Sequence, residues 1–266
     1  MTASRKERTV KKAFALVLTV SLMWVASSQA ETIYDIQYST PPDYISPLEG
    51  QTVDVTGGIV TKVRVGYRTR IIIQDPTLGT EWAGIMISCD SGVTAPAVVR
   101  GDQVDFFDVI VEEYRGNTQL YYDAGSSYTV NSSGHAVAPF VVLTSDIPVP
   151  VDHGLSEKWE HMLLTVENVT VGAMDLGKAD DNYELNNADG TCWASDFANI
   201  DLPPGTLYYV SPGGCYASIT GYLEQYTKLE DGWDYYQLLP RDAQDYVLGA
   251  SAVEAASWSG VKSMFK

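Results

Sequence analysis

Little in this sequence suits covalent chemistry. Its 266 residues include only three cysteines and three histidines. Cys89, Cys192 and Cys215 form no C-x-x-C pair and no Cys/His spacing of the kind that holds zinc. No metal or nuclease motif surrounds His135, His153 or His161, and no G-x-S-x-G occurs. His161 stands beside Glu160 at the start of a strand-like run, where a structural role is expected rather than general-base work. The chain therefore reads as no enzyme, with no catalytic residue, cofactor or metal. Positive charge is scarce too: 17 Lys+Arg stand against 34 Asp+Glu, a formal charge of -17. That balance opposes general polyanion binding at long range but does not exclude a local basic site. Helical periodicity is missing before the last twenty residues. Long apolar runs are missing as well, apart from one near the start.

That one run, "AFALVLTVSLMWVA" from Ala13 to Ala26, follows Arg5, Lys6, Arg8, Lys11 and Lys12 and precedes Ser28-Gln29-Ala30. A basic region, an apolar stretch and small residues before a cleavage point make a signal peptide over 1–30. The stretch is short for a membrane span and no second one follows, so no span is expected after cleavage. The expected protein is secreted or periplasmic. Its mature part keeps 12 Lys+Arg against 33 Asp+Glu, a formal charge of -21. Export permits disulfides. Cys192 and Cys215 would close a loop of about 24 residues, a bond worth roughly 3 kcal/mol. Cys89 is then left as a small buried hydrophobe.

What the chain has in abundance is strand. Val, Ile, Thr and Tyr alternate in short runs bounded by turn residues, which indicates an all-β fold. In order come "QTVDVTGGIVTKVRV", with a bend at Gly57-Gly58, then "TRIIIQD", "WAGIMISC", "DQVDFFDVIVEEY" and "GNTQLYYD". The later half repeats the order: "EHMLLTVENVTVGAM", "NYELNNADGTCWASDF" for two strands, "CYASITGYLEQY" and "WDYYQLLPRD". In this alignment Glu160 corresponds to Glu49. "VVLTSDIPVPVDHGLS" between the halves reads as a linker. Two tandem five-stranded Greek-key barrels of OB-like order follow, over 31–147 and 148–248. A short tail over 249–266 could form a helix capped by Ser257, with Trp258, Val261 and Phe265 on one face.

"SPLEGQTVDVTGGIVTKV", "IIIQDP", "GIMI", "GDQVDFFDVIVEEYRGNTQL" and "YYQLLPRDAQDYV" resemble bacterial exported OB-like domains. Such domains accompany extracellular endonuclease/exonuclease/phosphatase-type nucleases, and some stand alone. The resemblance covers about residues 32–248. It departs at Phe106-Phe107-Asp108, where the family pattern has a glycine, so strand curvature there is open.

An OB-fold presents ligands to strands two and three and to the loops joining strands one to two and four to five. Lys62, Arg64, Tyr67, Arg68 and Arg70 fall on the first of these hairpins; Tyr114 and Arg115 fall at the second loop. Cations interleaved with aromatics suit single-stranded nucleic acid, which needs phosphate neutralisation and stacking. The same residues also serve as a solvated hairpin that blocks edge pairing, or as partners for the many acids. The expected function is a non-catalytic binding module for single-stranded nucleic acid or oligosaccharide, carried by the first domain. The alternative is a structural or interaction module bound to an envelope protein. The acidic loop with Asp175, Asp180, Asp181, Glu184 and Asp189 misses the EF-hand frame and reads as solvated. The tyrosines crowding the later strands are expected mainly as packing between barrels.

Overall fold

The computed structural model describes residues 30–77, 79, 81–178, 181–198 and 208–249. The expected leader (apart from Ala30), residues 250–266 of the tail, and Asp180 lie outside the described residues.

Strands form where the alternating runs lie. In the first half these are β1 (Thr52–Arg64), β2 (Arg70–Gln74), β3 (Gly84–Cys89), β4 (Gln103–Tyr114) and β5 (Asn117–Tyr122). They close into a barrel in the order β1-β2-β3-β5-β4, with β4 returning to β1. All neighbours are antiparallel except β3 and β5. A further strand, β6 (Ser127–Ser132), extends from β4.

In the second half, β7 (Phe140–Val142) is followed by β8 (Leu163–Met174), β9 (Tyr183–Asn187), β10 (Gly190–Ala194), β11 (Cys215–Lys228), β12 (Trp233–Leu239) and β13 (Tyr246–Leu248). The circuit β8-β9-β10-β12-β11-β8 repeats the first, again with one parallel pair, β10 and β12. Two closed five-stranded barrels of OB order are therefore present. β7 already pairs with β8, so the sheets part over 133–139, earlier than the expected boundary at 147. Short helices α1 (Ile33–Gln37) and α2 (His153–Ser156) precede the two barrels.

Barrel closure needs bent strands, and β1 bends where its register against β4 shifts between Val53 and Gly58. Gly57 lies at φ +77°, and Asp105 accepts its N–H. Opposite, Asp108 takes φ +54°, a left-handed conformation that favours glycine, and its N–H donates to Asp54. Asp tolerates this region better than most residues, so the curvature survives the missing glycine.

The sequence "RIIIQ" has a direct structural reason. Ile71 and Ile73 point into the first core, beside Ile85, Ile87, Phe106 and Leu120. Ile72 points the other way, onto Tyr222, Leu239 and Ala198 of the second barrel. A strand buried on both faces reads as a continuous apolar run. The barrels thus share a joint. There, Leu163 N–H donates to Gln74 Oε1, Thr227 N–H to Arg115 O and Asn117 Nδ2 to Gln225 O. Glu160 is buried in this joint while Glu49 is exposed, so the repeat alignment does not carry over to environment. Gly84 touches it most closely: a Cβ there would lie 2.4 Å from the His161 carbonyl carbon. Gly84→Ala should cost about 1–3 kcal/mol, read from denaturant unfolding. An unchanged midpoint would show that the barrels are not in contact there.

The expected disulfide is corrected. Cys192 and Cys215 are free thiols. Cys192 sits in the second core opposite Leu185 of β9, whereas Cys215 begins β11 opposite Thr170 of β8. The path between them crosses β8 and β9, beyond the reach of a sulfur bridge. Burial pushes the Cys192 thiol up to about 12 and that of Cys89 up to about 11. In native protein, Cys215 should react with a thiol reagent well before the other two. Equal rates, or a 192–215 bond in non-reduced mass spectrometry, would contradict this placement.

Candidate ligand site between the first two loops

The hairpin from β1 to β2 and the turn from β4 to β5 come together at one end of the first barrel. A cavity of about 450 Å³ lies between them. Arg64, Tyr67, Arg68, Arg70 and Tyr114 line it, so five of the seven residues selected from the sequence converge. Ser88 of β3 and Phe197, after β10 of the second barrel, complete the wall. Neither was selected from the sequence. Ser88 carries no distinguishing signal, and Phe197 reaches the cavity only through the packing of one barrel on the other.

Lys62 does not belong to the cavity. It is 2% exposed, and its ammonium donates to Arg241 O. Burial, with Arg100 and Arg241 nearby, lowers its pKa to about 8 despite Asp242 and Asp245. Lys62 shares a face with Arg64, as alternation expects, and is paired with Ile72, but that face packs against the second barrel, which buries it. Arg115 also lies outside the cavity lining. Its guanidinium sits between the Tyr114 and Tyr226 rings, at 5.9 and 5.8 Å, and 3.4 Å from Glu230.

Two cavity arginines are tied to the second barrel. Arg64 Nη1 lies 3.2 Å from Glu224 Oε2 and 3.2 Å from the Tyr222 hydroxyl, and its guanidinium lies over the Phe197 ring at 4.4 Å. Arg70 Nη1 lies 3.6 Å from the other Glu224 oxygen. Glu224 is buried, and desolvation raises its pKa even against the pull of Arg64. The positive hairpin is thus partly spent on holding the barrels together.

Arg68 is different. Its guanidinium lies 5.4 Å over the Tyr121 ring, and among the described residues no carboxylate pairs with it within 4 Å. Tyr67 at the loop tip is 88% exposed, and Tyr114 is 43% exposed. A guanidinium with spare donors, beside two accessible phenol rings, can hold an anionic oxygen while a planar group stacks nearby. The tyrosines of the second half mostly pack: Tyr183, Tyr216, Tyr222, Tyr235, Tyr236 and Tyr246 are buried.

No family model matches the chain, and no curated protein matches it. Solved structures do. An OB domain from Methanosarcina mazei is 18% identical, with a TM-score of 0.29, covering 34% of this chain and 81% of that one. A murine DNA binding protein bound with double-stranded DNA is 10% identical, with a TM-score of 0.32, covering 71% of this chain and 93% of that one. A replication protein A heterotrimer bound to single-stranded DNA is 12% identical, with a TM-score of 0.26, covering 89% of this chain and 72% of that one. At these scores the fold assignment rests on the strand circuits themselves.

Proposed function

We propose that this is an exported, non-catalytic binding module whose first barrel holds a short single-stranded nucleic acid at the loop cavity. The observation that carries the reading is the convergence of Tyr67, Arg68, Arg70 and Tyr114 from two separate loops on one cavity. Stacking on an aromatic is sequence-tolerant, since every base has a π-face. Arg68 and the outer side of Arg70 supply charge for about two phosphates. The negative charge of the rest of the chain keeps binding weak and confines it to this end. Export rests on the basic and apolar pattern of residues 1–30.

Fluorescence anisotropy with a labelled oligo(dT), at several salt concentrations, tests the proposal. With about two phosphates neutralised, log K should fall against log salt with a slope of about −1.4. Tyr67→Ala with Arg68→Ala should abolish the signal with little change in the thermal midpoint, because Tyr67 is 88% exposed and among the described residues no carboxylate lies within 4 Å of the Arg68 guanidinium. No binding at low salt would remove the nucleic-acid reading. Binding of a neutral oligosaccharide at the same residues, without salt dependence, would replace it.

A further inference from the structure

The floor of the loop cavity is a row of side chains across four strands. Arg64 of β1 stands opposite Arg70 of β2, Arg70 opposite Ser88 of β3, and Ser88 beside Tyr121 of β5. Neighbouring strands lie about 4.8 Å apart, so these side chains adjoin on the outer face of the barrel. The alternate residues Ile71, Ile87 and Leu120 face the core. Arg68 lies over the Tyr121 ring at the open side of the row. In a chain with 34 Asp+Glu, no described carboxylate lines this cavity.

Ser88 supplies an independent sign of a ligand. It is 1% exposed, yet it forms part of the cavity wall. Among the described residues its hydroxyl has neither a donor nor an acceptor at hydrogen-bond distance. Buried hydroxyls are ordinarily bonded. This one is not sealed within the protein; its oxygen keeps a small opening, on the cavity side. Arg70 is short of partners too. It approaches Glu224 through Nη1 alone, at 3.6 Å, and makes no hydrogen bond among the described residues, although a guanidinium carries five donors.

The next row of the same face is closed. Ile72, two residues on from Arg70, is covered by Tyr222 and Leu239 of the second barrel, and its cross-strand neighbours Met86 and Gln119 are buried. An open OB face offers a strand the whole of strands two and three. Here a strand that reaches Arg70 meets the second barrel, with Phe197 at the boundary.

We propose that the cavity holds the phosphorylated end of a single strand rather than a stretch within it, an assignment that rests on the nucleic-acid reading above. The Ser88 hydroxyl and the guanidiniums of Arg70 and Arg68 donate to the phosphate oxygens, and the terminal base meets Tyr67 and Tyr114 at the mouth. A terminal phosphate carries a charge of about −1.5 to −2 at pH 7 and three acceptor oxygens, more than an internal phosphodiester offers. Planar guanidinium forks suit such oxygens. The acids nearest the row stand aside: Glu224 is held by Arg64, and Asp90, which attracts Arg68, lies outside the wall.

Competition for the full chain against an internally labelled oligo(dT) tests this. The competitors are unlabelled oligo(dT) of one length with a 5′-phosphate, a 3′-phosphate or two hydroxyl ends, a circularised oligo(dT), and inorganic phosphate. One of the phosphorylated forms should compete about tenfold better than the hydroxyl-ended form, and the circle should compete worst. Ser88→Ala should shrink that preference several-fold without lowering the thermal midpoint, because it deletes a hydroxyl that the fold itself leaves unbonded. A lowered midpoint would show that the hydroxyl serves the fold and would overturn the proposal. Equal competition by phosphorylated and hydroxyl ends, or by circle and linear strand, would overturn it and leave the nucleic-acid reading standing. Inorganic phosphate competing as well as the phosphorylated strand, or no binding by any strand, would overturn both.

Discussion

Glu224→Ala should destabilise the protein by about 3–5 kcal/mol, more than Gly84→Ala at the same joint. The substitution removes one carboxylate and leaves two guanidiniums, of Arg64 and Arg70, without their shared partner. The Arg64 side chain is only 12% exposed and the Glu224 side chain 4%, so water cannot readily replace the lost contact. Glu224→Gln should cost less, because an amide oxygen still accepts from Arg64. Urea unfolding followed by tryptophan fluorescence reads both variants. Loss of less than about 1 kcal/mol in Glu224→Ala would mean that the ion triad behaves like an exposed surface pair.

The second large effect is on pH. Glu157 is 2% exposed, and its pKa in the folded protein is about 7, against 4.5 for an unperturbed glutamate. A carboxyl whose folded pKa is raised binds its proton more tightly in the native state. Its contribution is most favourable below pH 4.5 and is lost as pH rises through 7. A rise of that size corresponds to about 3 kcal/mol of unfolding free energy. Glu113 and Glu224, also raised by burial, add to the same trend. Glu157→Gln should flatten the profile between pH 4.5 and 7. A wild-type protein whose stability climbs steadily across that range would contradict the assignment of Glu157 as a buried, largely protonated carboxyl.

The ten barrel strands were legible because each alternates against turn residues, and because the second half repeats the order of the first. "RIIIQ" even carried a trace of the joint, since Ile72 has no place in its own barrel. β6 and β7 were missed: β6 is largely exposed and carries little apolar pattern, and β7 is three residues long in a stretch punctuated by prolines. β13, also three residues long, merged with the exit from the last barrel strand.

At the site, the loop tips were legible and the partners were not. Lys62 and Arg64 look alike on a hairpin, yet the docked second barrel buries one against the Arg241 carbonyl, and a distant glutamate, 160 residues on, captures the other. Such long-range ion pairs leave no local signature. For the same reason the approach of Glu113 to Glu157 went unread, since it forms only where the barrels dock.

The most direct test of the binding assignment is residue-resolved NMR of the full chain titrated with unlabelled oligo(dT) at low salt. Shifts should be confined to the two loops and their neighbours: Tyr67, Arg68, Arg70, Ser88, Tyr114 and Phe197. Shifts spread over the second barrel away from Phe197, or no shifts at millimolar oligonucleotide, would contradict it.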